Sequence, residues 1–256
     1  MIWRCRDVEY ELSQRVLVMG IVNVTPDSFS DGGRWLEPDA AVAHCHALLA
    51  EGADLADLLD LGAESTRPGS PAVPADEQWR RLEPVLVRLA CERPDAVISC
   101  DTRDATVAER ALAAGARVVN DVSALGDPRM AGVVARARAG MVLMHMRGTP
   151  ETMQRDTRYD DVVAEVGAHL ADRRHELLAR LHELTQAGRP VLVGASRKSF
   201  LARLTGDDGP PDRRVAASLA AATVAVLGGA RILRVHDVAD TVRAVRVAVA
   251  VRDARR

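Results

Sequence analysis

A single lysine, Lys198, stands in a chain whose lysines and arginines together number 34. It lies in Gly194-Ala195-Ser196-Arg197-Lys198-Ser199, directly after the apolar run Val191-Leu192-Val193. A chain that writes arginine for every other cation keeps a lysine where a guanidinium will not serve: a compact ammonium, three rotatable donors and a pKa that burial can move. The two asparagines, Asn23 and Asn120, and the two phenylalanines, Phe29 and Phe200, are equally rare and fall in similar segments, dense in Gly, Ser, Thr and Asp. Arg67, Arg197, Arg234 and His236 add cations or donors, and arginine forks match phosphate oxygens bidentately, which points to a phosphate or diphosphate. Asp101 accepts from adjacent ring N–H and amino groups, while an asparagine donates and accepts at once, a set suited to the edge of a flat, nitrogen-rich ring. The amide oxygen of Asn23 is also a hard ligand able to hold Mg²⁺ against a diphosphate. Taken singly, each of these residues could equally fix a loop or cap a strand end.

Short strand-like runs at 16–22, 58–61, 96–100, 117–119, 141–144, 191–193 and 231–235 alternate with helical spacing at 40–51, 76–91, 105–114, 129–139, 160–187, 213–227 and 240–252. This alternation predicts βαβ units around a parallel sheet. Every polar cluster follows a strand, and in a (β/α) barrel such loops share one mouth. An open doubly wound sheet would gather only the clusters at its switch point, and its glycine-rich GxGxxG fingerprint does not occur. Residues 1–14 lie outside the alternation and are expected to form a hairpin or plug. No Pro-Gly linker interrupts 1–256, which reads as one domain.

With 256 residues and a net charge of −2, the chain has no polybasic stretch, so neither a nucleic-acid nor a membrane partner is expected and the partners are small molecules. Cys5, Cys45, Cys91 and Cys100 form no CxxC pair and no secretory leader precedes them, which favours a reducing, cytoplasmic setting. His44-Cys45-His46 mimics a metal cluster, but i,i+2 positions on a helix do not face one another.

The segments Met19-Gly20-Ile21-Val22-Asn23-Val24-Thr25-Pro26-Asp27-Ser28-Phe29, Glu64-Ser65-Thr66-Arg67-Pro68-Gly69, Asp101-Thr102, Asn120-Asp121, Met144-His145-Met146, Ser196-Arg197-Lys198-Ser199 and Arg234-Val235-His236-Asp237 together resemble dihydropteroate synthase over nearly the whole chain. The resemblance implies a TIM-type (β/α)8 barrel, a homodimer, and a transferase of folate synthesis. Its reaction would join 4-aminobenzoate to (7,8-dihydropterin-6-yl)methyl diphosphate, releasing diphosphate. By the same resemblance Asn23 holds Mg²⁺; Asp101 and Asn120 bind the pterin edge, with Ser196 and Lys198 beside it; Arg67, Arg234 and His236 hold diphosphate; and Phe29, Thr66, Pro68 and Ser199 shape the aminobenzoate pocket. Lys198, Arg234 and His236 are the catalytic candidates.

Between Met144 and Val191 the chain departs from the family. The resemblance implies a strand and an Asp-Pro-Gly loop there, whereas Val162, Val163, Val166, Leu170, Leu177, Leu178, Leu181 and Leu184 keep helical spacing throughout. About one βα unit, on the order of 30 residues, is missing. An unbroken helix over 160–187 would run roughly 42 Å, so a break is expected at Arg173-Arg174-His175. The strands at 141–144 and 191–193 should then either pair directly or leave an edge. The lost unit motivates a competing reading, an inactive paralogue that only binds pterin; a pterin-binding methyltransferase-type barrel is the other.

Overall fold

The computed structural model describes residues 1–13, 15–25, 38–52, 58–65, 70–144, 151–152, 189–207 and 209–254. The expected helix over 160–187, its break, and the site candidates Phe29, Thr66, Arg67 and Pro68 lie outside these residues, as does His145.

An antiparallel hairpin, β1 (Ile2–Cys5) and β2 (Val8–Glu11), precedes seven parallel strands. These are β3 (Leu17–Asn23), β4 (Leu58–Gly62), β5 (Val97–Asp101), β6 (Val118–Asp121), β7 (Gly140–Leu143), β8 (Leu192–Val193) and β9 (Ile232–Val235). Their spatial order is β7-β6-β5-β4-β3-β9-β8. The first barrel strand is thus flanked by the second and the last, and the sheet follows chain order around a nearly closed barrel. Its two edges, β7 and β8, border the interval that the sequence left one unit short. Among the described residues no β7–β8 ladder forms; which of the two expected outcomes holds rests on residues outside that set.

Helices α1 (Pro38–Glu51), α2 (Ala75–Glu92), α3 (Ala105–Ala113), α4 (Met130–Ala137), α5 (Ser199–Thr205), α6 (Val215–Leu227) and α7 (Val238–Asp253) surround the strands, with a 3₁₀ turn at Pro211–Arg214 before α6. Periodicity missed α5, whose seven residues are too few to show a helical repeat. Its Phe200, Leu201 and Ala202 pack with Ala221, so Phe200 is a core residue.

Strand alternation divides the interior into two apolar layers. Leu59 and Leu61 of β4 join Ile98, Cys100, Val119, Leu233 and Val235 beneath the helices. Leu58 faces the opposite way and meets Leu17, Met19, Val97, Val118 and Ile232 at the floor of the barrel. The hairpin completes that floor with Cys5, Tyr10 and Leu12, as the expected plug. It is latched to the far side of the barrel: the Arg6 Nη1 donates to the Leu112 and Ala116 carbonyls (2.9 and 3.1 Å), and Arg117 forks onto Asp7 (2.8 and 3.0 Å). The opening of β7 is glycine because of this seat, since a Cβ on Gly140 would lie 2.6 Å from the Cys5 Sγ.

Gly140→Ala should therefore destabilise the protein by about 1–3 kcal/mol through overpacking. Because Cys5→Ala removes the clashing sulfur, the two substitutions combined should cost less than the sum of their separate effects in urea unfolding. Simple additivity would show that the hairpin does not seat against β7.

Candidate active site

Above the apolar floor the lumen turns polar. Asp60, on the same face of β4 as Leu58, is fully buried, and its Oδ2 accepts from Arg234 Nε (2.6 Å) and from Asn120 Nδ2 (2.9 Å). Arg234 Nη2 donates to Asp101 Oδ2 at 2.7 Å, so one guanidinium bridges two buried carboxylates. Asp101 ends β5, opposite Gly62 in register; a side chain at 62 would bring its Cβ to 3.3 Å from that of Asp101, which the glycine avoids. Burial pushes the Asp101 carboxyl up, to about 7; Arg234 opposes the shift and the Asp60 charge adds to it. Asp60 Oδ1 and the Ser99 hydroxyl, on register-paired neighbours, are buried with no hydrogen-bond partner among the described residues.

Two loops bring the remaining groups to the mouth. In the loop after β8, Arg197 adopts a left-handed backbone (φ 58°), a conformation that a side chain disfavours. Three contacts hold it there. Its N–H donates to Ser218 Oγ (3.0 Å), its carbonyl accepts from Arg214 (3.1 Å), and its guanidinium forks onto Asp237 (3.1 and 2.5 Å). Arg197 thus fastens the loop to Asp237, a part that its charge alone did not reveal. Lys198, next in the chain, is exposed, and its charge reaches both Asp101 and His236. Ser199 beside it is also exposed.

After β9, His236 is half-buried. The Ser196 hydroxyl accepts the His236 backbone N–H (3.2 Å) and lies 3.0 Å from Nδ1. Burial, then the charges of Arg197 and Arg234, push the imidazole down to about 4, so near neutral pH the ring is uncharged. Ser196 Oγ and Nδ1 share one hydrogen bond, whose direction follows the tautomer of the ring. Sequence reasoning counted His236 among cations or donors; as an uncharged ring it is a donor through one nitrogen and not a cation.

Asn23 stands half-buried at the C-terminal end of β3. Glu64 is tied to Arg103 through both of its oxygens (2.9 and 3.1 Å) and accepts the Val73 N–H, holding the rim. Among the described residues no group of three or more His, Cys, Asp or Glu side chains is placed to hold a metal, so a cation here would draw most of its oxygens from substrate and water. The structure therefore brings Asn23, Asp101, Asn120, Ser196, Lys198, Ser199, Arg234 and His236 to one end of the barrel. Sequence reasoning overlooked Asp60 and Ser99. The available signal was a charged residue inside an otherwise apolar strand, since aspartate is almost never buried without a partner.

Residues 19–177 and 168–236 match the family described as pterin binding enzyme. Dihydropteroate synthase of Neisseria meningitidis serogroup B is 41% identical over 280 aligned positions, covering 96% of this chain and 96% of the relative. Among solved structures, Yersinia pestis dihydropteroate synthase in a sulfonamide drug complex superposes with a TM-score of 0.87 at 38% identity, over 99% of this chain and 100% of that one. The Xanthomonas albilineans dihydropteroate synthase with 4-aminobenzoic acid gives 0.85 at 44% identity, over 98% and 97%. The 280-position alignment is longer than this 256-residue chain, so the Neisseria protein carries residues that have no counterpart here. The two family matches overlap at 168–177, inside the interval read as one unit short.

A proton titration by NMR should give His236 a midpoint near 4, below the ordinary 6.5. The depressed value stabilises the fold above pH 6.5, and that contribution is lost as pH falls towards 4. His236→Asn should remove this part of the pH dependence of unfolding; an unchanged slope would place the imidazole in solvent.

Proposed function

The chain belongs to the dihydropteroate synthases of the pterin binding enzyme family, and from that premise we propose that it condenses (7,8-dihydropterin-6-yl)methyl diphosphate with 4-aminobenzoate, releasing diphosphate. The observation that carries the reading is the polar lumen: Asp101 and Asn120 stand side by side on β5 and β6, beneath a mouth bearing Lys198 and His236. A flat heterocycle entering that cup meets a carboxylate for its N–H groups and an amide that both donates and accepts.

Diphosphate is the leaving group, so the barrier falls with whatever stabilises its developing charge. Lys198, the ring N–H of His236 and, outside the described residues, Arg67 serve that end. Arg234 spans the lumen beside the ring. Asn23 would hold Mg²⁺ through its amide oxygen, and the cation would supply further neutralisation of the developing charge. A neutral aromatic amine needs positioning more than deprotonation, and Phe29, Thr66, Pro68 and Ser199 are proposed to provide it. Pterin affinity below that of relatives carrying the full complement of residues is expected, because the sequence between β7 and β8 reads as about one βα unit short.

We further propose a homodimer and a cytoplasmic setting. The packed helices α6 and α7 expose Val224, Leu227, Val247 and Val251, apolar side chains that a second copy would cover. All four cysteines are free thiols, in keeping with a reducing compartment. Among the described residues no helix is long and apolar enough to cross a membrane.

Purified protein supplied with the pterin diphosphate, 4-aminobenzoate and Mg²⁺ should release diphosphate and form dihydropteroate; binding without turnover would favour a pterin-binding paralogue. Lys198→Arg should lower turnover at least ~100-fold, since a planar fork cannot replace a point charge there, and near-normal activity would remove Lys198 from the mechanism. Asn23→Ala should chiefly raise the Mg²⁺ concentration needed for half-maximal rate; an unaltered magnesium curve speaks against the assignment. Val247→Glu should shift the sedimentation coefficient towards that of a monomer.

A further inference from the structure

We propose that Asp60 is the positioning residue that fixes how the lumen reads its ligand, acting through Asn120 and Arg234. The proposal rests on the pterin-condensing role given above and assigns a part to a residue outside the set chosen from sequence.

One oxygen does the positioning. Asp60 Oδ2 accepts from Asn120 Nδ2 at 2.9 Å and from Arg234 Nε at 2.6 Å. An asparagine amide is nearly symmetric in shape but opposite in polarity at its two ends, so a free side chain can turn over and exchange its donor for its acceptor. The bond to a carboxylate, which only accepts, forbids that reversal. Asn120 must point Nδ2 at Asp60, and its Oδ1 and second N–H are then presented in one order. Asp101, next to it in register, contributes acceptors when ionised. A ring edge recognised by this pair must therefore carry its donors and acceptor in a fixed sequence.

Arg234 is constrained in the same way. With Nε on Asp60 and Nη2 on Asp101, the guanidinium plane is set across the lumen, and Nη1 makes no hydrogen bond to a described residue. When a ring N–H takes its place on Asp101, Nη2 is released while the Asp60 anchor keeps the arginine in the cup. The exchange leaves no carboxylate without a donor.

Stability alone does not account for Asp60. It is fully buried in the apolar strand Leu58-Leu59-Asp60-Leu61, and its Oδ1 has no partner among the described residues. A buried charge in which half the acceptors go unused is a poor way to hold a sheet together, and conflicts between a residue and its local pattern gather at functional sites. Ser99 Oγ, across the ladder from Asp60 and equally without a partner, leaves the same layer open to one more polar atom.

The test uses Asp60→Asn, which keeps the shape and halves the acceptor capacity, with calorimetry of the pterin diphosphate and steady-state rates. The dissociation constant and KM for the pterin should rise at least ~30-fold while KM for 4-aminobenzoate stays within ~2-fold. Asp60→Asn combined with Asn120→Ala should bind little worse than Asn120→Ala alone, because the two act through one contact. Arg117→Gln, at the base of the barrel, serves as a control of lowered stability and should leave pterin affinity unchanged. Near wild-type pterin affinity in Asp60→Asn, or full additivity with Asn120→Ala, overturns the proposal and leaves the function intact. A wild-type protein that fails to bind the pterin diphosphate overturns both. If Asp60→Asn does not fold, side-chain amide exchange in the wild type decides. With two asparagines in the chain, the Asn120 NH₂ is identified by elimination using Asn23→Ala; one slowly exchanging proton, retained with the pterin bound, supports the anchor, and fast exchange of both refutes it.

Discussion

Two carboxylates and one guanidinium share the middle of a barrel from which water is largely excluded, and the remaining architecture follows from keeping that trio paired. Ions removed from water are tolerated only when their partners are close and well aimed. Arg234 can meet both Asp60 and Asp101 because β9 returns to β3, and β3 separates it from β4 by a single strand. Gly62 leaves the space into which Asp101 leans. The apolar floor below keeps the trio dry from underneath, and the hairpin keeps the floor closed.

The site is therefore a cup with graded polarity. Its base is hydrocarbon, its middle holds charges that compensate one another, and its lip carries Lys198 and the uncharged His236 where an anionic leaving group would depart. A neutral imidazole suits such a lip, because it donates from one ring nitrogen without adding a charge that the cup would have to balance before substrate arrives. Lys198 provides an exposed positive charge, on a loop whose strained Arg197 is fastened from three directions. Rigid backbone with an exposed ammonium at its end combines precise placement with reach.

Much of this was legible in the residue string. The seven parallel strands appear where apolar runs alternate with helical spacing, and the placing of polar clusters after strands located the mouth, because in a barrel those loops converge whatever their sequence. Rarity marked Lys198, Asn23 and Asn120. What escaped were contacts that depend on three dimensions. Asp60 hid inside a hydrophobic run, since periodicity assigns a residue to a face but cannot say whether an arginine 174 positions away will meet it. The fastening part of Arg197 escaped because charge is visible in sequence and a partner such as Asp237 is not. Phe200 drew attention as a rare residue yet packs in the core of a helix too short to announce itself.

The seating of the hairpin has a consequence for how the molecule is made. Residues 2–11 are synthesised well before their docking partners, Leu112, Ala116, Arg117 and Gly140, which follow more than a hundred positions later. At about 5–20 residues per second, the hairpin waits several seconds with its apolar face unmatched. β3 waits longer still for β9, its other neighbour in the sheet. The nascent chain is thus an open, sticky half-barrel for most of its birth, and its yield in the cell will depend on how well that interval is shielded.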